Sequence, residues 1–218
     1  MITDVNVNLS RWPFRRLPCD ELPKLVERLE ACGVAQAWAG SFDGLFHKDL
    51  GGVNARLAED CRRLPAGLLR PFGAVNPTLP DWREDLRRCH EDYHMPGIRL
   101  HPNYHGYRLD DPDFSRVVEA CIDYDIPINL HVNEEVGHYY GGKAATPLLH
   151  IYHLAERYPE LKLILSHWGG GLLFYELMAE VQKVLRNVWY DRAAWPLLEP
   201  TGRVCEAAWP GVEQRKGR

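Results

Sequence analysis

The chain has 218 residues, of which 45% are hydrophobic and 26% are charged, and its formal net charge is −4. This composition is typical of a globular protein, and the acidic balance argues against a nucleic-acid-binding protein, which normally carries a basic stripe. We expect a cytoplasmic protein with no membrane partner, because no apolar run approaches the roughly 20 residues of a membrane span and no leader pattern opens the sequence.

Short β-rich segments alternate with amphipathic helical segments along the chain. The predicted strands are Ile2–Asn8, Val34–Ala39, Leu68–Val75, Gly97–His101, Ile126–Val132, Leu161–His167 and Val188–Tyr190. The predicted helices are Asp20–Ala31, Asn54–Leu64, Trp82–Tyr93, Asp113–Tyr124, Thr146–Arg157 and Leu172–Leu185, with a last one beginning near Leu197. Strict alternation of this kind implies parallel strands joined by helical crossovers.

The number of strand–helix units decides between two parallel architectures. No glycine-rich phosphate loop follows the first strand, and seven units without GxGxxG favour a TIM-like barrel over a doubly wound sheet. A complete barrel has eight units and usually about 250 residues. We therefore expect one domain over residues 1–218, a TIM-like (β/α) barrel that lacks its eighth unit and is short at its carboxyl end.

Polar side chains stand at the predicted carboxyl ends of the strands, where barrel enzymes build their sites. In chain order they are Asn6, Asn8, Ser41, Asp43, Asn76, Arg99, His101, His131, Asn133, His167 and Asp191. A single histidine at a strand end is as often a capped, inert residue as a functional one. Three histidines that converge from three strands favour a functional site.

His131 and His167 end two neighbouring predicted strands. Period-two alternation places His131 on the polar face of its strand, where an imidazole can bind a divalent cation. Trp168 and three glycines follow His167, and glycines let backbone N–H groups approach a ligand closely. His167 is the candidate general acid/base, since an imidazole titrates near neutral pH.

The sequence resembles the amidohydrolase-related family, which includes metal-dependent hydrolases and decarboxylases of the aminocarboxymuconate-semialdehyde decarboxylase type. The segments that carry the resemblance are Ile2–Asn8, Gly97–Pro102, Ile128–His131, Leu163–Gly170 and Asn187–Asp191. The resemblance implies a divalent metal, zinc foremost, that activates water against a small carboxylate-bearing or cyclic compound. It makes His131 the equivalent of a metal-binding histidine and His167 the equivalent of the catalytic one.

Two features depart from the pattern of that family. Asn6 and Asn8 stand where the family has an HxH metal pair, and a carboxamide oxygen is a weak zinc ligand compared with imidazole. The family also continues through an eighth strand with an aspartate, which we do not find in Glu206–Arg218. Two alternatives follow: the asparagines are hydrogen-bonding residues in a vacated metal site, or a weaker site forms from His101, His131, His167 and water.

Further side chains are candidates for substrate contacts. Arg99 shares a strand face with His101, and its guanidinium suits a substrate carboxylate, although an internal ion pair with Asp191 is an equal alternative. The loops that carry Tyr104 and His138 follow adjacent strands, and their aromatic and glycine content suits either a substrate lid or a surface loop. The predicted substrate-binding residues are Tyr104, His138, Trp168 and Asp191.

Two functions remain open at this point. The first is metal-assisted hydrolysis, or non-oxidative decarboxylation, of a small carboxylate-bearing compound. The second is a non-catalytic amidohydrolase-like protein that binds a ligand or assembles around a degenerate metal site. A seven-stranded barrel would expose unpaired edges on its first and last strands, so we also expect a homo-oligomer, or the polar tail, to cover them.

Overall fold

Parallel strands and helices alternate through the residues that the computed structural model describes, which are 2–64, 67–133, 143 and 146–191. The strands are β1 (Ile2–Leu9), β2 (Val34–Ser41), β3 (Leu69–Pro71), β4 (Gly73–Ala74), β5 (Ile98–Leu100), β6 (Ile128–Leu130), β7 (Leu163–Leu165) and β8 (Val188–Tyr190). The helices are α1 (Leu22–Ala31), α2 (Asp43–Phe46), α3 (Leu50–Arg62), α4 (Trp82–Arg87), α5 (Pro102–His105), α6 (Pro112–Asp123), α7 (Leu148–Arg157) and α8 (Ala179–Val184).

All strand pairs are parallel and follow chain order, in a sheet β1-β2-β3 and a sheet β4-β5-β6-β7-β8. The two sheets meet at Phe72, whose N–H donates to the carbonyl of Ala39 at 2.8 Å, while the N–H of Gly73 donates to Gly97 at 3.3 Å. One strand thus changes partner midway, which divides the third predicted strand into β3 and β4. The predicted TIM-like fold is confirmed, and the described residues supply seven successive strand positions of a partial barrel.

Two apolar clusters lie around the strands. The larger one packs the central strands against α6 and α7 and includes Ile128 and Leu163, which are almost fully buried. The smaller one packs β1 and β2 against α1 and α3 and includes Val7 and Leu9. Because strand side chains alternate, burial of Val7 and Leu9 on this side turns Asn6 and Asn8 to the opposite face of β1.

Several helices differ from their predicted bounds. α3 begins at Leu50, four residues early, and α4 continues into a π-helical turn over Arg88–Asp92. The predicted helix Leu172–Leu185 is divided, with α8 covering its second half. The helix predicted near Leu197 lies outside the described residues. Among the described helices, none is long and apolar enough to cross a membrane.

Candidate functional site

Four histidines form a row at the carboxyl ends of β5, β6 and β7. The ring centroids of His105 and His101 are 6.0 Å apart, those of His101 and His131 are 5.6 Å apart, and those of His131 and His167 are 5.1 Å apart. The last pair meets edge to face, at 85°. The three predicted histidines therefore do converge, and we refer to the four together as the histidine row.

His105 is the member of the row that the sequence did not single out. α5 follows directly after β5, and the N–H of His105 donates to the carbonyl of His101, which places the two side chains one helical turn apart. The spacing of four residues was the available signal. The contact of His105 Nε2 with the carbonyl of Gly44, at 2.9 Å, makes this nitrogen the donor and leaves Nδ1 as an acceptor.

Burial keeps most of the row uncharged at neutral pH. It lowers the pKa of His131 to about 3, and the neighbouring His167 and Arg99 act in the same direction. Burial also lowers the pKa of His101 well below its ordinary value, assisted by His131 and His105. The pKa of His105 is lowered by burial too, against the opposing effect of its bond to Gly44. These imidazoles therefore act as neutral donors and acceptors.

Tyr104, a predicted substrate contact, lies beside the histidine row. Its ring centroid is 6.1 Å from that of His131 and 6.4 Å from that of His101, and burial raises its pKa. The ring centroid of Phe46 lies 5.8 Å from that of Tyr104, and the ring centroid of Trp12 lies 5.5 Å from that of Phe46. An aromatic wall therefore leads from the surface to the row. His138, the other predicted loop residue, lies outside the described residues.

Arg99 has partners inside the barrel framework. Its side chain is buried, with 3% of the residue exposed. Its acceptors are the carbonyl oxygens of Val5, Val7 and Trp38 and Oδ1 of Asn8, at 2.8, 3.0, 3.4 and 2.9 Å. A Cβ on Gly40 would lie 2.8 Å from the Cδ and Nη1 atoms of Arg99, so glycine makes room for this side chain. The partners of Arg99 in the described residues are thus carbonyl oxygens and an amide oxygen of β1 and β2, and its predicted role toward a substrate carboxylate stays a prediction.

Asp191 accepts hydrogen bonds from the backbone at His167 and Trp168. Its Oδ1 accepts from the backbone N–H of His167 at 2.8 Å, and its Oδ2 accepts from Nδ2 of Asn6 at 2.9 Å. Its carbonyl oxygen accepts from the N–H of Trp168 at 3.0 Å. Asp191 and Asp4 oppose the effect of burial, which lowers the pKa of Arg99 to about 10, so the guanidinium stays charged. Asp191 therefore contacts the framework of the site at three points.

The chain makes a left-handed turn from His167 to Gly171. The φ angles of His167 and Trp168 are 54° and 59°, and those of the three following glycines lie between 62° and 106°. A side chain in this region costs roughly 1–2 kcal/mol, so the turn holds His167 and Trp168 in a strained conformation. The N–H groups of His167 and Trp168 donate to Asp191, and that of Gly169, one of the three glycines, donates to the carbonyl of Ser166.

The residues present do not fit the divalent metal that the resemblance implies. Oδ1 of Asn8 accepts from the guanidinium of Arg99, and Oδ2 of Asp191 accepts from Nδ2 of Asn6, so an ion bound to either of these two oxygens would have to displace its present partner. Within residues 2–191, as far as they are described, no three His, Cys, Asp or Glu side chains are arranged to hold an ion. Both asparagines make the hydrogen bonds expected in the first alternative. A metal set of Asn6, Asn8, His101 and His131, or a weaker site from His101, His131, His167 and water, stays a prediction.

Comparison with known proteins gives a family match over most of the chain. A family model described as Amidohydrolase matches residues 13–212. A curated 2-amino-3-carboxymuconate-6-semialdehyde decarboxylase from Dictyostelium discoideum is 30% identical over 105 residues, which are 42% of this chain and 29% of that protein. The matched segment therefore spans less than a third of this curated relative.

Solved structures with a similar fold include enzymes and proteins of unassigned activity. A putative amidohydrolase from Staphylococcus aureus is similar with a TM-score of 0.66 and 18% identity, over 88% of this chain and 79% of that one. A dihydroxybenzoic acid decarboxylase from Polaromonas, solved with manganese and the inhibitor 2-nitroresorcinol, gives 0.64 and 17%, over 86% and 77%. A 5-carboxyvanillate decarboxylase from Sphingomonas paucimobilis gives 0.69 and 14%, over 87% and 80%. At these identities the likeness shows the fold.

Proposed function

Because the chain belongs to the amidohydrolase family, we propose that it removes the carboxylate of a small compound without oxidation, by proton transfer at the histidine row. The observation that carries this proposal is the edge-to-face contact of His131 and His167 at 5.1 Å, at the ends of two adjacent strands. The decarboxylases among its structural and curated relatives support this reaction over hydrolysis. Hydrolysis by metal-activated water has no matching ligand set among the described residues.

In the proposed reaction, the bond from the substrate carbon to its carboxylate breaks and carbon dioxide leaves. The electron pair stays on the substrate carbon, which takes a proton from His167, and water returns a proton to the imidazole. His131 is neutral at working pH and orients the substrate by a hydrogen bond, while Tyr104 packs against it. Asp191 positions His167 through its backbone N–H, and Arg99 holds the barrel framework instead of a substrate carboxylate.

The test is a panel of aromatic carboxylates, including 2,6-dihydroxybenzoate and 5-carboxyvanillate, incubated with the protein in D₂O. We expect a product that carries deuterium at the carbon that lost carbon dioxide. His167→Asn should lower the rate by roughly 10²–10⁴-fold, and it should fold, because asparagine tolerates the left-handed conformation of this position. His153→Gln is the control, since His153 is exposed on α7 and contacts Glu156. Turnover that persists in His167→Asn would contradict the proposal.

A second candidate function is ligand binding without turnover. The observation that favours it is the filled metal position, in which Asn6 contacts Asp191 and Asn8 contacts Arg99. Calorimetry on the same panel separates the two functions, because binding of a compound that stays intact after long incubation supports the second. Small-molecule binding is common to both. A homo-oligomer, the cytoplasmic location and the lack of a nucleic-acid partner stay predictions.

A further inference from the structure

We infer that the guanidinium of Arg99 takes the place of a metal as the fixed positive charge inside this barrel, and that the protein works without a divalent ion. The inference stands apart from the proposed reaction, because it concerns the inner end of the site and its tests measure metal rather than turnover. Three features of the described residues lead to it.

The first feature is the position of the guanidinium. Nη1 of Arg99 lies 2.9 Å from Oδ1 of Asn8, which is one of the two positions that would carry an HxH metal pair. The same Nη1 also donates to the carbonyl of Val7 at 3.0 Å, directly beside that position. A divalent ion bound at residue 8 would stand within a few ångströms of a cation, and the low dielectric of the interior strengthens their repulsion.

The second feature is that the framework is built to keep Arg99 in place. Nη2 donates to Val5 and Trp38, so the guanidinium contacts carbonyl oxygens on both β1 and β2. Gly40 leaves the space that the Cδ and Nη1 atoms of Arg99 occupy, since a Cβ on Gly40 would lie 2.8 Å from both atoms. A side chain held by four acceptors and seated over a glycine cannot leave for a metal without breaking those contacts.

The third feature is the matching negative charge. Both carboxylate oxygens of Asp191 are engaged, one by Nδ2 of Asn6 and the other by the N–H of His167. Since Nδ2 of Asn6 lies 2.9 Å from Oδ2 of Asp191, an ion bound to this carboxylate oxygen would have to displace the amide. Arg99 and Asp191 thus give the interior one positive and one negative charge, each solvated by an asparagine and by backbone groups.

The experiment measures metal in the full-length protein purified without chelator. We expect a metal content far below one ion per chain and no change in Tm on adding EDTA, Zn²⁺ or Mn²⁺. A nearly stoichiometric ion that is lost in His131→Ala would overturn the inference.

A pair of variants isolates the contribution of Arg99. Asn6→His/Asn8→His introduces imidazoles at the two positions of the HxH pair, the first of which contacts Asp191, and keeps the guanidinium. Asn6→His/Asn8→His/Arg99→Met removes the guanidinium. Titration with Co²⁺, followed by its visible absorption, should give binding at least tenfold tighter in the triple variant than in the double variant. Equal affinity in the two variants would contradict the role of Arg99. If the triple variant fails to fold, the metal content and Tm response of the wild-type protein still decide the inference.

Discussion

Nδ2 of Asn6 on β1 donates to Oδ2 of Asp191, directly after β8, at 2.9 Å and across 185 positions of the chain. In the described residues β1 pairs with β2 and β8 pairs with β7, so no backbone ladder joins these two strands. The side-chain bond therefore links the first and last described strands of the barrel at the level of the site. The same carboxylate also accepts from the N–H of His167, so the contact that joins the first and last described strands also positions that histidine.

Exchanging the two partners tests this link. Asn6→Ala should cost about 1–2 kcal/mol of unfolding free energy, because Oδ2 of Asp191 loses a donor. Asn6→Asp should cost more at neutral pH, since two carboxylates would then lie within hydrogen-bond distance. Their repulsion raises a folded-state pKa, so the extra cost is present above that pKa and disappears as the pH falls below the unfolded value. Urea unfolding at several pH values measures both effects.

The double variant Asn6→Asp/Asp191→Asn is the control for this pair. It exchanges donor and acceptor, and asparagine at 191 can still accept the N–H of His167 through its Oδ1. We expect it to recover most of the stability that Asn6→Asp loses. A double variant that is as unstable as the sum of the single ones would mean that the bond is not the source of the effect.

Asp85 on α4 should make the protein less stable as the pH rises. Burial raises its pKa to about 6, the nearby Asp81 carboxylate adds to this, and Arg88 opposes it. The ionised form is therefore disfavoured in the folded state, and stability falls as the pH rises from the unfolded pKa near 4 through the folded one. Asp85→Asn should gain on the order of 2 kcal/mol at about pH 7 and almost nothing at about pH 4.

The matched control for Asp85 is Asp123→Asn. Asp123 is exposed at the end of α6, and its substitution should change stability by less than about 0.5 kcal/mol at either pH. Urea midpoints of both variants and the wild-type chain at the two pH values give the comparison. An equal gain for Asp85→Asn at both pH values would show that ionisation is not the cause.

The sequence predicted the strands because apolar periodicity is a local signal. It also predicted the candidate site residues, because barrel enzymes build their sites at the carboxyl ends of the strands. It predicted that His131 and His167 meet, since consecutive parallel strands are neighbours. It could not predict the partners of Arg99, which lie 91 to 94 positions away on β1 and 61 away on β2. Whether a buried guanidinium faces a substrate or a backbone carbonyl depends on the curvature that brings β1 across the barrel, and no local pattern encodes it.

The turn after β7 was foreseen only in part. Three successive glycines indicate a backbone that residues with side chains rarely adopt, and this agrees with their positive φ angles. His167 and Trp168 share that conformation against their own preference, because their N–H groups donate to Asp191. If each residue is assigned its own preferred backbone conformation, β or right-handed, the result is a helix from Leu172 and no left-handed turn before it.

Gly169 should tolerate alanine far less well than Gly33. Both have a φ between 60° and 70°, at 62° and 68°, so the conformational penalty for a Cβ is the same, roughly 1–2 kcal/mol. The surroundings differ: a Cβ at Gly169 would lie 2.9 Å from Tyr190 and 3.0 Å from Leu165, whereas nothing lies within 4 Å at Gly33. We expect Gly169→Ala to cost at least about 1 kcal/mol more than Gly33→Ala, since overpacking adds 1–3 kcal/mol. Equal losses in urea unfolding would show that the turn shifts without cost.

The outer edges of β1 and β8 should be covered in solution. Both strands end a described sheet, and each exposes a large apolar side chain, Ile2 and Trp189. Unpaired edges of this kind recruit another strand, so we expect either a second copy of this chain or its own polar tail to protect them. Amide exchange is the measurement: β1 amides that do not donate to β2 should exchange slowly, with β6 as the reference because it is paired on both sides.

The dependence of this protection on protein concentration distinguishes the two covers. Protection that falls on dilution, together with a falling mass in light scattering, identifies a second copy. Protection that is independent of concentration identifies a segment of the same chain as the cover. A monomer with fast exchange along β1 would contradict the prediction, because the edge would then be open to water.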